Sequence, residues 1–151
     1  IYVAFRFKHF NFAAAGVIAL LHDVVVTAGF VALTGREMSL TIIAALLTIA
    51  GYSINDTIFI YDRIREVMRA MPKVGLKDVI NIAVNQTMSR TILTTWCTML
   101  VVLSLFFFGG DVINDFSFCL LVGFISGIYS TVFIASPLIL AWEGLKGKKI
   151  G

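Results

Sequence analysis

Charge is what this chain has least of. Asp, Glu, Lys and Arg make up 14% of its 151 residues, against ~25% in an average soluble domain. Hydrophobic residues reach 59%, and the mean hydropathy is +0.94. A soluble domain of this size lacks the interior to hide so many apolar side chains, so an all-α integral membrane protein is expected. Cysteine is also scarce. Cys97 and Cys119 both lie in apolar runs, where reduced thiols packed as small hydrophobes fit better than a disulfide or a metal ligand. The chain has no GxxxxGK[ST], no GxSxG and no His/Cys/carboxylate set at metal-ligand spacing. Phosphate-loop nucleotide hydrolysis, serine hydrolysis and a metal centre therefore have no sequence basis. Bases are not interleaved with aromatics, so no nucleic-acid partner is expected. Nothing reads as a cleavable signal peptide. The opening "IYVAF" resembles the tail of an apolar helix, which suggests the C-terminal part of a longer polypeptide.

Long apolar runs are what the chain does have. A helix needs ~20 residues to cross the hydrocarbon core, and four stretches suffice: 12–34, 40–62, 91–109 and 116–142. Residues 1–5 would end a fifth helix, and Pro137 should kink the last span near its end. The runs are continuous, which argues against a spanning sheet. Arg6, Lys8, the six bases of the 63–90 loop (Arg63, Arg65, Arg69, Lys73, Lys77, Arg90) and the three in the 143–151 tail fall on one side. Arg36 alone falls on the other. Excess Lys and Arg mark cytoplasmic segments, so loop and tail are expected in the cytoplasm. Within the loop, Leu76, Val79, Ile80, Ala83, Val84 and Thr87 recur at helical spacing opposite Lys77, Asp78, Asn81 and Asn85. That pattern predicts an amphipathic helix over 76–88, acting as an interfacial anchor or a docking surface.

Four ionisable groups sit inside or at the mouths of these spans: His22, Asp23, Asp56 and Arg90. A charge near mid-bilayer costs at least ~2.5–3.5 kcal/mol on insertion scales, more than one hydrogen bond recovers. Helical spacing puts Thr48, Tyr52, Ser53 and Asp56 on one face, with Asn55 at its margin. A carboxylate shielded from water favours its neutral form, and a nearby arginine favours the ionised one. One poised between the two is loaded and unloaded by a small rearrangement. Arg90 opens the next span above Thr91, Thr94 and Thr98, hydroxyls that either hold water or bond back to the preceding turn. Its side chain should lean toward the helix N-terminus, away from Asp56. His22 and Asp23 point ~100° apart, and their expected role is hydrogen bonding between helices, with a relay second. Gly123 and Gly127 form a GxxxG pair, the mark of close helix packing.

The segments "LLHDVVVTAG", "AALLTIAGYSINDTIFIYDRIRE" and "NQTMSRTILTT", with the spacing over 123–138, resemble the SecF branch of the bacterial SecD/SecF protein-export family. The likeness runs in order along nearly the whole chain. It implies a proton-driven transporter of the resistance–nodulation–division superfamily, lacking here that family's first span and extracytoplasmic domain. It further implies that Asp56 of "NDT", Arg90 of "SRT" and Thr94 form the proton relay. The resemblance assigns no role to His22 and Asp23, which with Asn55 stay relay or packing residues on the reading of their spacing. Trp96 departs from the pattern, which would place a small residue there. The implied partners are SecD, the SecYEG translocon, preproteins and the lipid bilayer of the inner membrane. No cofactor is implied beyond the coupling ion, a proton or possibly sodium, and no catalytic chemistry.

Two other classes compete. A passive scaffold would use the polar residues only to lock helices together. An intramembrane aspartyl protease needs two carboxylates converging on one water, whereas Asp56 and Asp62 are ~9 Å apart along one helix axis and on different faces.

Overall fold

The computed structural model describes the backbone of residues 10–147 and the side chains of residues 13–142. The helix end expected over 1–5 and the last residues of the tail lie outside the described residues. Within them the chain is helical almost throughout: α1 (Phe10–Leu33), α2 (Leu40–Ala70), α3 (Leu76–Phe108), α4 (Gly110–Ser130), a π-helical turn (Thr131–Ala135) and α5 (Ser136–Gly147). Four stretches, Ala13–Leu33, Leu40–Ala70, Leu76–Phe108 and Gly110–Trp142, are long and apolar enough to cross a membrane.

Local chemistry sets the breaks. Gly35 has φ +69°, a conformation other residues rarely adopt, and turns the chain between α1 and α2. Ser39 then caps α2, its Oγ accepting from Ile42 N–H at 3.3 Å. Gly110, at φ +77°, separates α3 from α4. Pro137 supplies no N–H to the preceding turn, and there the helix widens to the π form. Ser136 Oγ donates to the Thr131 carbonyl at 3.2 Å, occupying one of the acceptors left over.

The region expected as a 63–90 loop is mostly helix. α2 runs on to Ala70, only residues 71–75 turn, and α3 begins at Leu76 and continues unbroken through the next span. The 76–88 segment is therefore the first part of a 33-residue helix rather than a separate one. Its Val79, Ile80 and Ala83 are buried in the bundle and its Lys77, Asp78, Asn81 and Asn85 are exposed. Packing explains the difference: apolar residues with the bundle beside them need not lie on the lipid interface.

α2 and α4 touch each other and both remaining long helices, with α1 and α3 on either side. The α2–α4 approach depends on Gly123, where a Cβ would run into the Ile49 side chain. The core has two apolar ends. One joins Ala15, Ala19, Ile60, Tyr61, Ile64, Val79, Ala83 and Ile139. The other joins Val31, Ile42, Ala45, Ile49, Val102, Leu120 and Phe124. Between them every long helix contributes buried polar side chains: Asp23 and Thr27 from α1, Ser53 and Thr57 from α2, Thr91 and Thr95 from α3, Ser126 and Ser130 from α4. The bundle is apolar, polar, apolar along its length.

Candidate functional site

The polar belt holds two carboxylates in opposite circumstances. Asp23 has no solvent exposure. Its Oδ2 accepts from Ser53 Oγ at 2.5 Å and from Ser130 Oγ at 2.8 Å, and its Oδ1 accepts from Ser126 Oγ at 3.0 Å. His22 Nδ1 lies 3.2 Å from Oδ1. An ionised carboxylate offers about four acceptor positions, and four groups from three helices meet them. Thr27 Oγ1 donates to the Asp23 carbonyl at 2.8 Å, satisfying the backbone beneath. Gly127 and Gly16 line this convergence, but a Cβ at either would meet its neighbours at ordinary contact distance, 3.9 Å from Oδ2 for Gly127, so the network does not depend on glycine there. His22 is half-buried, at the edge of a groove of about 420 Å³ lined by Val26, Phe30, Ile125, Ser126 and Tyr129.

Asp56 is only half-buried, and among the described residues no hydrogen bond or ion pair engages its carboxylate. Arg90 is near enough to act on it through its charge. The guanidinium itself lies over the Phe59 ring, 3.4 Å from the centroid, one turn along α2 from Asp56. That is the lean toward the helix N-terminus expected of a helical side chain. Asn55, Arg90 and Thr94 are all exposed. The hydroxyl stripe bonds back along its own helix: Thr94 Oγ1 donates to the Arg90 carbonyl at 2.8 Å, and Thr98 Oγ1 to that of Thr94 at 2.8 Å.

The polar face read from spacing on α2 is thus divided. Ser53 and Thr57 turn inward, Ser53 to Asp23. Tyr52 reaches α3, its hydroxyl 3.3 Å from Thr95 Oγ1, while Asn55 and Asp56 stand at the open margin. Positions 53 and 56 differ by ~60° around the helix, enough to put them in different neighbourhoods. Trp96 points away from the bundle, 61% exposed, so its bulk meets no neighbouring helix. Spacing alone also missed a clamp at the far end. Arg36 pairs with Asp115, donates to Asn114 Oδ1 at 3.0 Å and stacks over Phe118 at 4.5 Å, joining the α1–α2 turn to α4. The signal was in the sequence: Arg36 is the one base on its side, opposite a loop with acids and no base.

The sequence matches the family described as Protein export membrane protein SecD/SecF, C-terminal, over residues 1–145. It is 49% identical over 148 residues to the protein translocase subunit SecF of Calditerrivibrio nitroreducens, covering 97% of this chain and 48% of that protein. To the protein translocase subunit SecDF of Thermus thermophilus it is 45% identical over 143 residues, covering 95% of this chain and 19% of the other. A crystal structure of SecDF in super-membrane-facing form superposes with a TM-score of 0.93 at 43% identity, over 98% of this chain and 20% of that one. The chain spans about half the length of the SecF relatives it matches. With its four long apolar helices it is a multi-pass membrane protein, and it belongs to the SecD/SecF protein-export family, in whose C-terminal membrane region it lies.

Proposed function

We propose that this chain is the membrane part of a SecF-type subunit that couples cation flow, protons first and sodium second, to export of preproteins. Asp56 is the load site, Arg90 its counter-charge, and Thr94 with Asn55 lines the approach. One observation carries this reading. Asp56, Asn55, Arg90 and Thr94 form a polar face within apolar helices, open on the outside of the bundle and without a direct bond between acid and base. Hydrocarbon does not accept such a face, so the rest of a longer assembly must cover it. The Thermus relative is named SecDF, and SecD is the covering partner proposed here, with the SecYEG translocon and the preprotein beyond it.

The absence of a direct bond matters for mechanism. A locked ion pair would resist loading, whereas a carboxylate felt by Arg90 at a distance changes its attraction to α3 whenever it gains or loses a proton. One charge crossing a 100 mV potential yields ~2.3 kcal/mol, which is sufficient to bias two helix arrangements. The proposed setting is the bacterial inner membrane, with the basic 63–90 segment and the tail in the cytoplasm, and the subunit does no bond chemistry of its own.

The test is Asp56→Asn in the full-length protein, scored for both assembly and export. Expected is normal membrane level and partner co-purification, with loss of the part of export that depends on the proton-motive force. Wild-type export would return the chain to the scaffold reading, which the Asp23 network independently favours at its own site.

A further inference from the structure

Asp23 ties together the parts that the Asp56 reading needs to move. Ser53 stands on α2 three residues before Asp56, ~4.5 Å along the same axis. Ser130 is the last residue of α4 before the π-helical turn. Both donate to the same oxygen of Asp23. A displacement of α2 at Asp56 therefore pulls first on the atom that also holds the end of α4.

Ser130 has a second acceptor within reach. Its Oγ lies 2.8 Å from Asp23 Oδ2 and 3.2 Å from the Gly127 carbonyl. A hydroxyl carries one proton, so it serves one acceptor well at a time. If Ser130 lets go of Asp23, its hydroxyl still has the carbonyl of its own helix to donate to, at 3.2 Å. That carbonyl is already shared: it accepts from Thr131 Oγ1 at 2.7 Å and from the Thr131 N–H, which also reaches the Ile128 carbonyl, so a released Ser130 hydroxyl joins an occupied acceptor. The next residues form the π-helical turn, a wide turn of a kind that recurs at functional sites. Ser130 is thus a contact with two acceptors of unequal quality, the carboxylate being the better, placed where α4 gives way to α5.

We infer that Asp23, with Ser53 and Ser130, is the joint that passes a displacement of α2 at the load site to the end of α4 and to α5. Asp23 is a positioning residue here and takes no part in loading. The inference rests on Asp56 being the load site, and the two are tested separately.

The experiment uses the full-length protein with its partner subunits in inverted membrane vesicles, reading proton uptake and preprotein transport from the same preparation. Ser130→Ala and Ser53→Ala each remove one hydroxyl from an otherwise intact network, so neither depends on surviving loss of the carboxylate. Expected is transport reduced about five-fold, the factor worth one ~1 kcal/mol hydrogen bond, with proton uptake kept within about two-fold of wild type. Ser130→Thr, which keeps the hydroxyl, restores transport. Proportional loss of both readouts, or no loss of either, overturns the joint. Asp56→Asn is run alongside. If it keeps gradient-driven transport, the load-site reading fails and the joint with it. If it stops transport while Ser130→Ala and Ser53→Ala behave as wild type, the joint alone fails.

Discussion

Asp23 and Asp56 are both carboxylates within spans of one bundle, and their surroundings differ in almost every respect. Asp23 is sealed, with three serine hydroxyls and an imidazole nitrogen on its two oxygens. Asp56 is half open, and its nearest cation is occupied with a phenylalanine ring. Cutting into the first should cost structure and cutting into the second should cost function. A buried polar group is retained cheaply only when it is satisfied. An unsatisfied one in a membrane helix implies a partner or a use.

The largest effect expected on stability comes from Asp23→Ala. It removes the acceptor that three buried hydroxyls share, and at ~0.6–1.7 kcal/mol per interhelical hydrogen bond the loss is about 2–5 kcal/mol, read from reversible unfolding in mixed micelles. A loss no greater than that of Asp56→Asn would erase the contrast. Gly123→Val comes next. The new side chain meets Ile49 across the α2–α4 contact, and overpacking of this kind costs ~1–3 kcal/mol. Ile49→Ala in the same chain should recover part of it, a rescue that a purely local helix effect would not give. Arg36→Gln should cost about 1 kcal/mol, since it removes a partly exposed ion pair and a stacked ring contact. High salt should narrow the gap between wild type and variant. Smallest is Asp56→Asn, within about 0.5 kcal/mol, because no described hydrogen bond is lost. The same variant carries the export prediction above, so stability and transport should separate most sharply there.

Much of the fold was legible because hydropathy reports on lipid directly: four long apolar runs and a one-sided distribution of bases need no tertiary knowledge. What spacing did not give was where helices stop outside the bilayer. Residues 63–70 are polar enough to read as loop and 76–88 as a separate amphipathic helix, yet Val67, Val79 and Ala83 share one core cluster and both segments continue the long helices. The Asp56 face was visible in outline, and its composition was misread at Ser53. That Asp23 bonds between helices was read from its place in the span, but its partners lay beyond pattern reading, since the donors stand 30, 103 and 107 residues away. Only the small residues Gly123, Ser126, Gly127 and Ser130 hinted at a close contact, and nothing along the chain said that its far side was a carboxylate.

α2 has 31 residues and is ~46 Å long, whereas the hydrocarbon it crosses is ~30 Å thick. Roughly a third of the rod is therefore surplus to the hydrocarbon and reaches into the headgroup layer and beyond, ending at the 71–75 turn that hands over to α3. The helix carries no π-turn and no proline along that length, so the two commonest causes of a sharp kink are missing between Asp56 and the tip. On the coupling mechanism proposed above, rocking that begins beside Asp56 would arrive outside the hydrocarbon as travel of that tip, a lever arm cut from the same piece as its pivot.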